Sequence, residues 1–118
     1  MPEVQIKRIY EPAEESDGYR VLVDRLWPRG IKKDKAHIDI WLKHIAPTTD
    51  LRKWFNHDPE KWEAFSRKYM AELKGSDAVK ELMDRVRKHK KTTLLYGAHD
   101  AQHNQAQVLL QLITRLLK

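Results

Sequence analysis

The stretch RVLVDRLWPRG, residues 20–30, decides how this chain is interpreted. The segment Val21–Val23 is apolar on both faces of a strand, as an interior strand of a parallel sheet requires. This strand, predicted over Tyr19–Leu26, then leads into a loop of charged and turn-forming residues. Because charged groups are costly to bury unless they are paired or used, the pattern predicts a polar site. The alternative is that Asp24 and Arg25 only satisfy each other and the nearby backbone.

Length and composition narrow the class of protein. The 118 residues predict a single domain, 1–118. The absence of cysteine excludes disulfides, thiolate metal sites and a thiol nucleophile. No signal-like segment opens the chain and no apolar run reaches membrane-spanning length, so we expect a cytoplasmic protein without membrane contact. The 23 Lys and Arg against 17 Asp and Glu, a formal charge of +6, favour anionic partners.

Hydrophobic periodicity predicts three strands and several helices. The first strand covers Val4–Tyr10 and the third covers Thr92–Tyr96. A hairpin is the commonest connection between the first two strands, and their relative direction stays open. Helical segments are predicted over 38–45, 51–55 and 58–75, from 76 to the basic run 85–91, and over 106–117.

These elements predict an α/β fold: a small, largely parallel sheet of three or four strands covered by helices in one layered domain. The second and third strands are joined through helices, and such connections are usually parallel and right-handed. The loops Trp27–Gly30 and Gly97–Asp100 then leave the same edge of the sheet, where open α/β sheets bind their ligands. Two segments far apart in sequence are therefore expected to form one pocket.

The loop after the third strand has its own binding chemistry. Asp100 is predicted to cap the last helix, with His103 and Asn104 in its first turn. The amides near Ala101–His103 would then point into the crevice and hold an anion. The carboxylate of Asp100 partly opposes this arrangement because it can occupy the same donors.

A histidine pair in this loop raises the question of a metal. His99 and His103 are four residues apart, a spacing that can bind a metal on one helical face. However, His99 is expected in the loop, and no glutamate accompanies the pair as in metalloproteases. We therefore expect neither a metal nor another cofactor.

With both loops in view, the chain resembles the YeaO-like family of small bacterial proteins, within domain of unknown function 488. The resemblance covers the whole chain and is carried in order by IKRIY (6–10), RVLVDRLWPRG (20–30), LRKWFNHDP (51–59), WEAF (62–65) with Tyr69, and TLLY (93–96) through Asp100, His103, Asn104 and Ala106. The family implies no particular reaction. In the wider group the last loop often carries a Cys-His-Arg cluster where this chain has HNQ (103–105), so the resemblance does not imply thiol chemistry here.

The leading functional hypothesis is a pocket for a phosphorylated or nucleotide-like anion at the carboxyl ends of the strands. Arg25 and Arg29 would clamp the anion, because guanidinium forks suit phosphate and carboxylate. Trp27 or Tyr96 would stack on a base or sugar. Polar groups of both loops complete the set: Asp100 and Asn104 as ligand contacts, and Asp24 and His103 as candidate catalytic acid–base groups. Whether binding is followed by chemistry is left open.

Two alternatives belong to other classes of protein. A nucleic-acid-associated protein would use the positive charge and the basic run Arg85–Lys91, which we interpret first as a solvated helix end. A structural or interaction module would use Asp24 and Arg25 as a buried ion pair and the last helix as a homodimer face.

Overall fold

Four parallel strands and four helices make up the computed structural model, which describes residues 2–118. The strands are β1 (Glu3–Arg8), β2 (Tyr19–Leu22), β3 (Ile40–Trp41) and β4 (Lys91–Tyr96), in the order β1-β4-β2-β3. The helices are α1 (Thr49–Phe55), α2 (Trp62–Leu73), α3 (Asp77–Arg87) and α4 (Gln105–Leu116). Within the described residues, no helix is both long enough and apolar enough to span a membrane. The predicted fold class is confirmed.

Strand β4 lies in the interior of the sheet, between β1 and β2. Its register pairs Tyr96 with Arg8 of β1 and Leu95 with Leu22 of β2. Residues 92–96 are buried, which suits a run that is β-branched and apolar on both faces. Strand β2 ends at Leu22, before the predicted boundary, although the Val23 amide still donates to the Leu95 carbonyl at 3.0 Å. The carboxyl ends of β2 and β4 therefore lie side by side.

The connection between the first two strands, whose relative direction the sequence left open, is not a hairpin. Both β1 and β2 run parallel to β4, which lies between them, so segment 9–18 returns the chain to the start of β2. A buried ion cluster holds this connection. The carboxylate of Asp17 accepts hydrogen bonds from the Lys7 ammonium at 3.0 Å and from the Arg20 guanidinium. Contacts between residues that are far apart in sequence decide the topology here. The commonest type of connection between two neighbouring strands does not take such contacts into account.

The helix predicted over 38–45 is also wrong. Ile40–Trp41 forms the edge strand β3, and the Leu42 amide donates to the Leu22 carbonyl at 2.9 Å. The apolar spacing arises because the segment crosses the sheet edge and supplies both faces: Ile38 and Trp41 pack on one, Leu42 and Ile45 on the other. Short apolar runs do not distinguish a strand from a helix by periodicity.

The two faces of the sheet are covered differently. On one face, Val21 and Leu94 pack into the main core together with side chains of all four helices. On the other face, Leu22 and Leu95 form a smaller cluster that is covered by aromatic and aliphatic residues of segment 27–41. The first loop of the predicted site thus also covers part of the hydrophobic core.

The predicted helix starts at Asp58 and Ser76 are confirmed. The Asp58 side chain accepts from the Glu60 amide at 3.0 Å, and the short 3-10 turn that follows runs directly into α2. The Ser76 hydroxyl accepts from the Ala78 amide at 3.1 Å at the start of α3. These local signals survive folding because they satisfy amides that a helix leaves without partners.

The basic end of α3 is partly built into the fold. The Arg85 guanidinium donates to the Tyr19 hydroxyl at 2.7 Å, and the His89 ring stacks on the Tyr19 ring with centroids 3.9 Å apart. Arg87, Lys88 and Lys90 are exposed. Part of the run Arg85–Lys91 therefore anchors the start of β2, while the rest is solvated.

Candidate functional site

A cavity of about 590 Å³ lies at the carboxyl ends of β2 and β4, where the two loops were predicted to meet; we call it the strand-end cavity. Most of its lining comes from three parts of the chain. They are residues 24–28 after β2, residues 97–100 and 103–105 after β4, and Arg52, Phe55, His57 and Phe65 from the region of α1 and α2. Tyr10, Ala46 and Pro47 complete the lining. Of the predicted site residues, Asp24, Arg25, Trp27, Asp100, His103 and Asn104 are brought together in this lining.

Asp24 is a fixed and largely buried carboxylate in the wall of the cavity. It accepts hydrogen bonds from the Gly97 amide at 2.9 Å and from the Gln105 side-chain amide. Burial raises the pKa of Asp24 to about 6, against the lowering effect of these two hydrogen bonds. A Cβ atom at position 97 would lie 2.9 Å from the Asp24 carboxylate, so any residue other than glycine would force the carboxylate to shift. Asp24 can therefore change its charge close to neutral pH.

Arg25 lines the cavity but does not pair with Asp24. Its guanidinium donates to the carbonyls of Pro47 and Ala46, each at 3.0 Å. Among residues 2–118, no salt bridge joins Asp24 and Arg25, so the ion pair required by the structural alternative is not formed. Arg25 therefore ties the loop after β2 to the segment before α1 and adds positive charge to the wall.

Two of the predicted binding residues lie outside the cavity lining. Arg29 is exposed, and its backbone carbonyl accepts from the Tyr10 hydroxyl at 2.8 Å. Tyr96 is buried within β4, where burial raises the pKa of its hydroxyl. Trp27 does line the cavity, with its indole N–H donating to the Ile31 carbonyl at 2.6 Å. The turn after Pro28 carries Arg29 away from the strand ends, so the predicted pair of clamping arginines is not assembled.

The predicted cap of the last helix is wrong. Helix α4 begins at Gln105, and its N-cap is Asn104, whose side chain accepts from the Gln107 amide at 3.2 Å. Asp100 instead closes a local turn by accepting from the amides of Gln102 and His103 at 2.9 and 3.1 Å. Aspartate readily forms such turns in competition with helix. Two of the amides that were expected to hold an anion, those of Gln102 and His103, are therefore already occupied.

His103 is oriented by two neighbours. Its Nδ1 lies 2.8 Å from an Asp100 carboxylate oxygen, and its ring packs edge-on against Trp62 at a centroid distance of 5.3 Å. The hydrogen bond from His103, together with the local backbone amides, lowers the pKa of Asp100. No hydrogen bond joins His103 to Asp24 among the described residues, because each is engaged by other partners. The two acid–base candidates therefore do not form a coupled pair.

Residues 2–118 hold no cluster of three or more His, Cys, Asp or Glu side chains arranged to bind a metal. His99 and His103 both line the cavity, but they lie on an irregular loop rather than on one helical face. The i, i+4 spacing therefore does not place these two histidines on one face of a helix.

Sequence reasoning missed the contribution of α1 and of the turn after it. Arg52 and His57 line the cavity and are exposed at its rim, while Phe55 contributes an apolar wall. Asn56 and His57 have φ of 47° and 54°, the left-handed conformation that closes α1 and turns the chain. Asparagine and histidine are enriched in this conformation, so the pair was the available sign of a sharp turn.

Comparison with known proteins identifies the family of this chain. The family model described as "Inactive DUF488-N3 subclade" matches residues 3–118. The uncharacterized protein YeaO of Escherichia coli (strain K12) is 46% identical over 106 residues, which cover 90% of this chain and 92% of that protein. The uncharacterized protein Rv3073c of Mycobacterium tuberculosis is 41% identical over 110 residues, covering 93% and 92%. No solved structure matches. The chain therefore belongs to the YeaO-like DUF488 family, in its DUF488-N3i subclade.

Proposed function

We propose that this protein binds a small phosphorylated or nucleotide-like anion in the strand-end cavity. The observation that carries the proposal is the cavity itself, whose volume of about 590 Å³ falls within the range of small-molecule sites. It opens at the carboxyl ends of parallel strands, the usual place for ligands in open α/β sheets.

The charges around the cavity suit an anionic group at its rim. Arg52 is exposed there, and none of the salt bridges among residues 2–118 involves it. Its guanidinium is therefore free to form the paired hydrogen bonds that phosphate and carboxylate favour. His57 lies on the same rim, and Arg25 adds a fixed positive charge from the wall. The rim replaces the predicted Arg29 as the source of cationic contacts.

Apolar surface would hold the rest of the ligand. Phe55 and Phe65 stack with centroids 4.2 Å apart, and both line the cavity together with Trp27 and Tyr10. Aromatic walls with a few polar groups are typical of sites for ligands that carry a flat ring. This combination favours a nucleotide-like ligand over inorganic phosphate.

Binding without turnover is the form of the proposal that the observations support. Asp24 and His103 are each held by other groups, Gly97 and Gln105 for the first and Asp100 for the second. The matching family model is described as an inactive subclade, and this description also favours binding without turnover.

The proposal can be tested by titrating the isotope-labelled full chain with phosphate, sulfate and nucleoside monophosphates while recording amide NMR spectra. We expect shifts in the loops after β2 and β4, and at least about tenfold weaker binding for Arg52→Gln, because charge-assisted hydrogen bonds are lost. Arg87→Gln at the exposed end of α3 is the matched control and should bind as the parent does. Absence of shifts at the cavity, or equal binding by Arg52→Gln, would refute the proposal.

A further inference from the structure

The polar groups of the strand-end cavity differ in depth and in the partners they accept. Arg52 and His57 are exposed at the rim, whereas Asp24 is partly buried and held in the wall by Gly97 and Gln105. The rim therefore offers hydrogen-bond donors and positive charge, while the inner wall offers a carboxylate. A ligand that fits both must have two chemically different ends.

On the basis of the proposed function, we propose that the ligand is a nucleotide whose base presents N–H donors to Asp24 while its phosphate lies at the Arg52–His57 rim. An ionised carboxylate only accepts hydrogen bonds, and it has about four positions at which to do so. Two of these are filled by the Gly97 amide and the Gln105 side chain, which leaves positions for a ligand. A base with an amino group next to a ring N–H can fill two of them at once.

The reverse orientation, with phosphate against Asp24, is disfavoured by charge. Two anionic groups in a partly apolar pocket repel each other strongly, because the surroundings screen them less than water does. A base rich in N–H donors is attracted to Asp24, because it donates hydrogen bonds in place of those that the carboxylate lost when it was buried away from water. Burial already raises the pKa of Asp24, because it removes part of the solvation of the ionised form.

The surroundings of Asp24 suit recognition of a flat ring. Its two oxygens are each held by a separate donor, so the plane of the carboxylate is fixed before a ligand arrives. The stacked rings of Phe55 and Phe65 supply apolar surface in the same lining, and Trp27 adds a further aromatic side chain. A base held between such walls would bring its N–H edge to a carboxylate of fixed orientation.

Three probes test this inference on the full chain: two nucleotides that differ only in one amino group, and a sugar phosphate without a base. Guanosine 5′-monophosphate carries a ring N–H and an adjacent amino group, inosine 5′-monophosphate lacks the amino group, and ribose 5-phosphate lacks the base. We expect guanosine 5′-monophosphate to bind at least about tenfold more tightly than inosine 5′-monophosphate by calorimetry, because one hydrogen bond to a charged acceptor is lost. Ribose 5-phosphate should bind most weakly, because it loses the remaining ring N–H and the contacts of the ring with the aromatic walls.

Asp24→Asn is the decisive variant because it keeps the size of the side chain and removes the charge. We expect it to abolish the preference for guanosine over inosine 5′-monophosphate while leaving ribose 5-phosphate binding unchanged or slightly stronger. Gln105→Ala keeps the carboxylate but removes one of the two donors that fix its plane, so it should reduce the same preference. It serves as the second variant in case Asp24→Asn folds poorly. Asp77→Asn, at a fully exposed position in the first turn of α3, is the matched control.

The outcomes separate this inference from the proposed function. Equal affinity for all three probes, each weakened by Arg52→Gln, would overturn the role of Asp24 and leave an anion site at the rim. A guanosine preference that survives Asp24→Asn would likewise overturn the inference. Failure of every probe and of the anion panel to bind would overturn both proposals.

Discussion

Replacing Asp24 with asparagine should stabilise the protein increasingly as the pH rises from about 4 to about 7. In the folded chain, burial raises the pKa of Asp24 from the ordinary 3.8 to about 6. Between these two values the folded state binds more protons at this position than the unfolded state does. The parent protein therefore loses stability at this site as the pH rises, and the neutral asparagine does not.

The size of the effect follows from the difference between the two pKa values. A rise in the pKa from 3.8 to about 6 lowers the free energy of unfolding by about 3 kcal/mol when Asp24 is fully ionised. This loss is absent below pH 3.8 and complete once the pH exceeds the pKa of the folded state. Asparagine keeps an acceptor for the Gly97 amide, and its own amide group can donate to Gln105 if the latter turns its side chain over. The difference in unfolding free energy between variant and parent should therefore grow by about 3 kcal/mol over this interval.

Urea unfolding of both proteins at a series of pH values measures this difference directly. Groups common to the two proteins cancel, including Asp100, whose pKa is lowered mainly by its hydrogen bond with His103. A flat difference curve for Asp24→Asn, or one that falls as the pH rises, would refute the reasoning that Asp24 is ionised at a cost in the fold.

Two further predictions concern the connection between β1 and β2. Gly18→Ala should destabilise the protein by at least about 2 kcal/mol more than Gly75→Ala, measured by urea unfolding, because steric overpacking adds to backbone strain. Both glycines have positive φ, but only a Cβ at Gly18 would collide with the Lys91 carbonyl; equal losses would contradict this. Asp17→Asn should cost about 3 to 5 kcal/mol, because the buried Arg20 loses its counter-charge, and a loss under about 1 kcal/mol would contradict that role.

The candidate site was predictable in outline because one rule of topology is strong. Strands joined through helices are usually parallel, so the loops after Leu22 and Tyr96 were expected to leave the same edge of the sheet, as they do. From this rule alone, Asp24 and His103 were predicted to lie in one pocket, and both line the cavity. The rule could not foresee which side chains point inward, and Arg29 turned out to lie outside the lining.

The remaining part of the site depends on contacts between distant segments. Arg25 binds the carbonyls that precede α1, and Gln105 binds Asp24 across 81 residues of sequence. The rim residues Arg52 and His57 reach the cavity only because α1 packs beside the sheet ends. None of these distances is encoded in local periodicity, which reports which face of an element is apolar but not which element it will face.

The sequence by itself determined the interior strands, most of the helices and their starts, and the family. Apolar runs such as Val21–Val23 and caps such as Asp58 act within a few residues, so their physical effect is the same in any context. Only the tertiary structure decided that Ile40–Trp41 is an edge strand and that β4 separates β1 from β2. It also decided that Asp24 titrates near neutral pH, since burial and hydrogen-bond partners exist only once the distant segments have packed together.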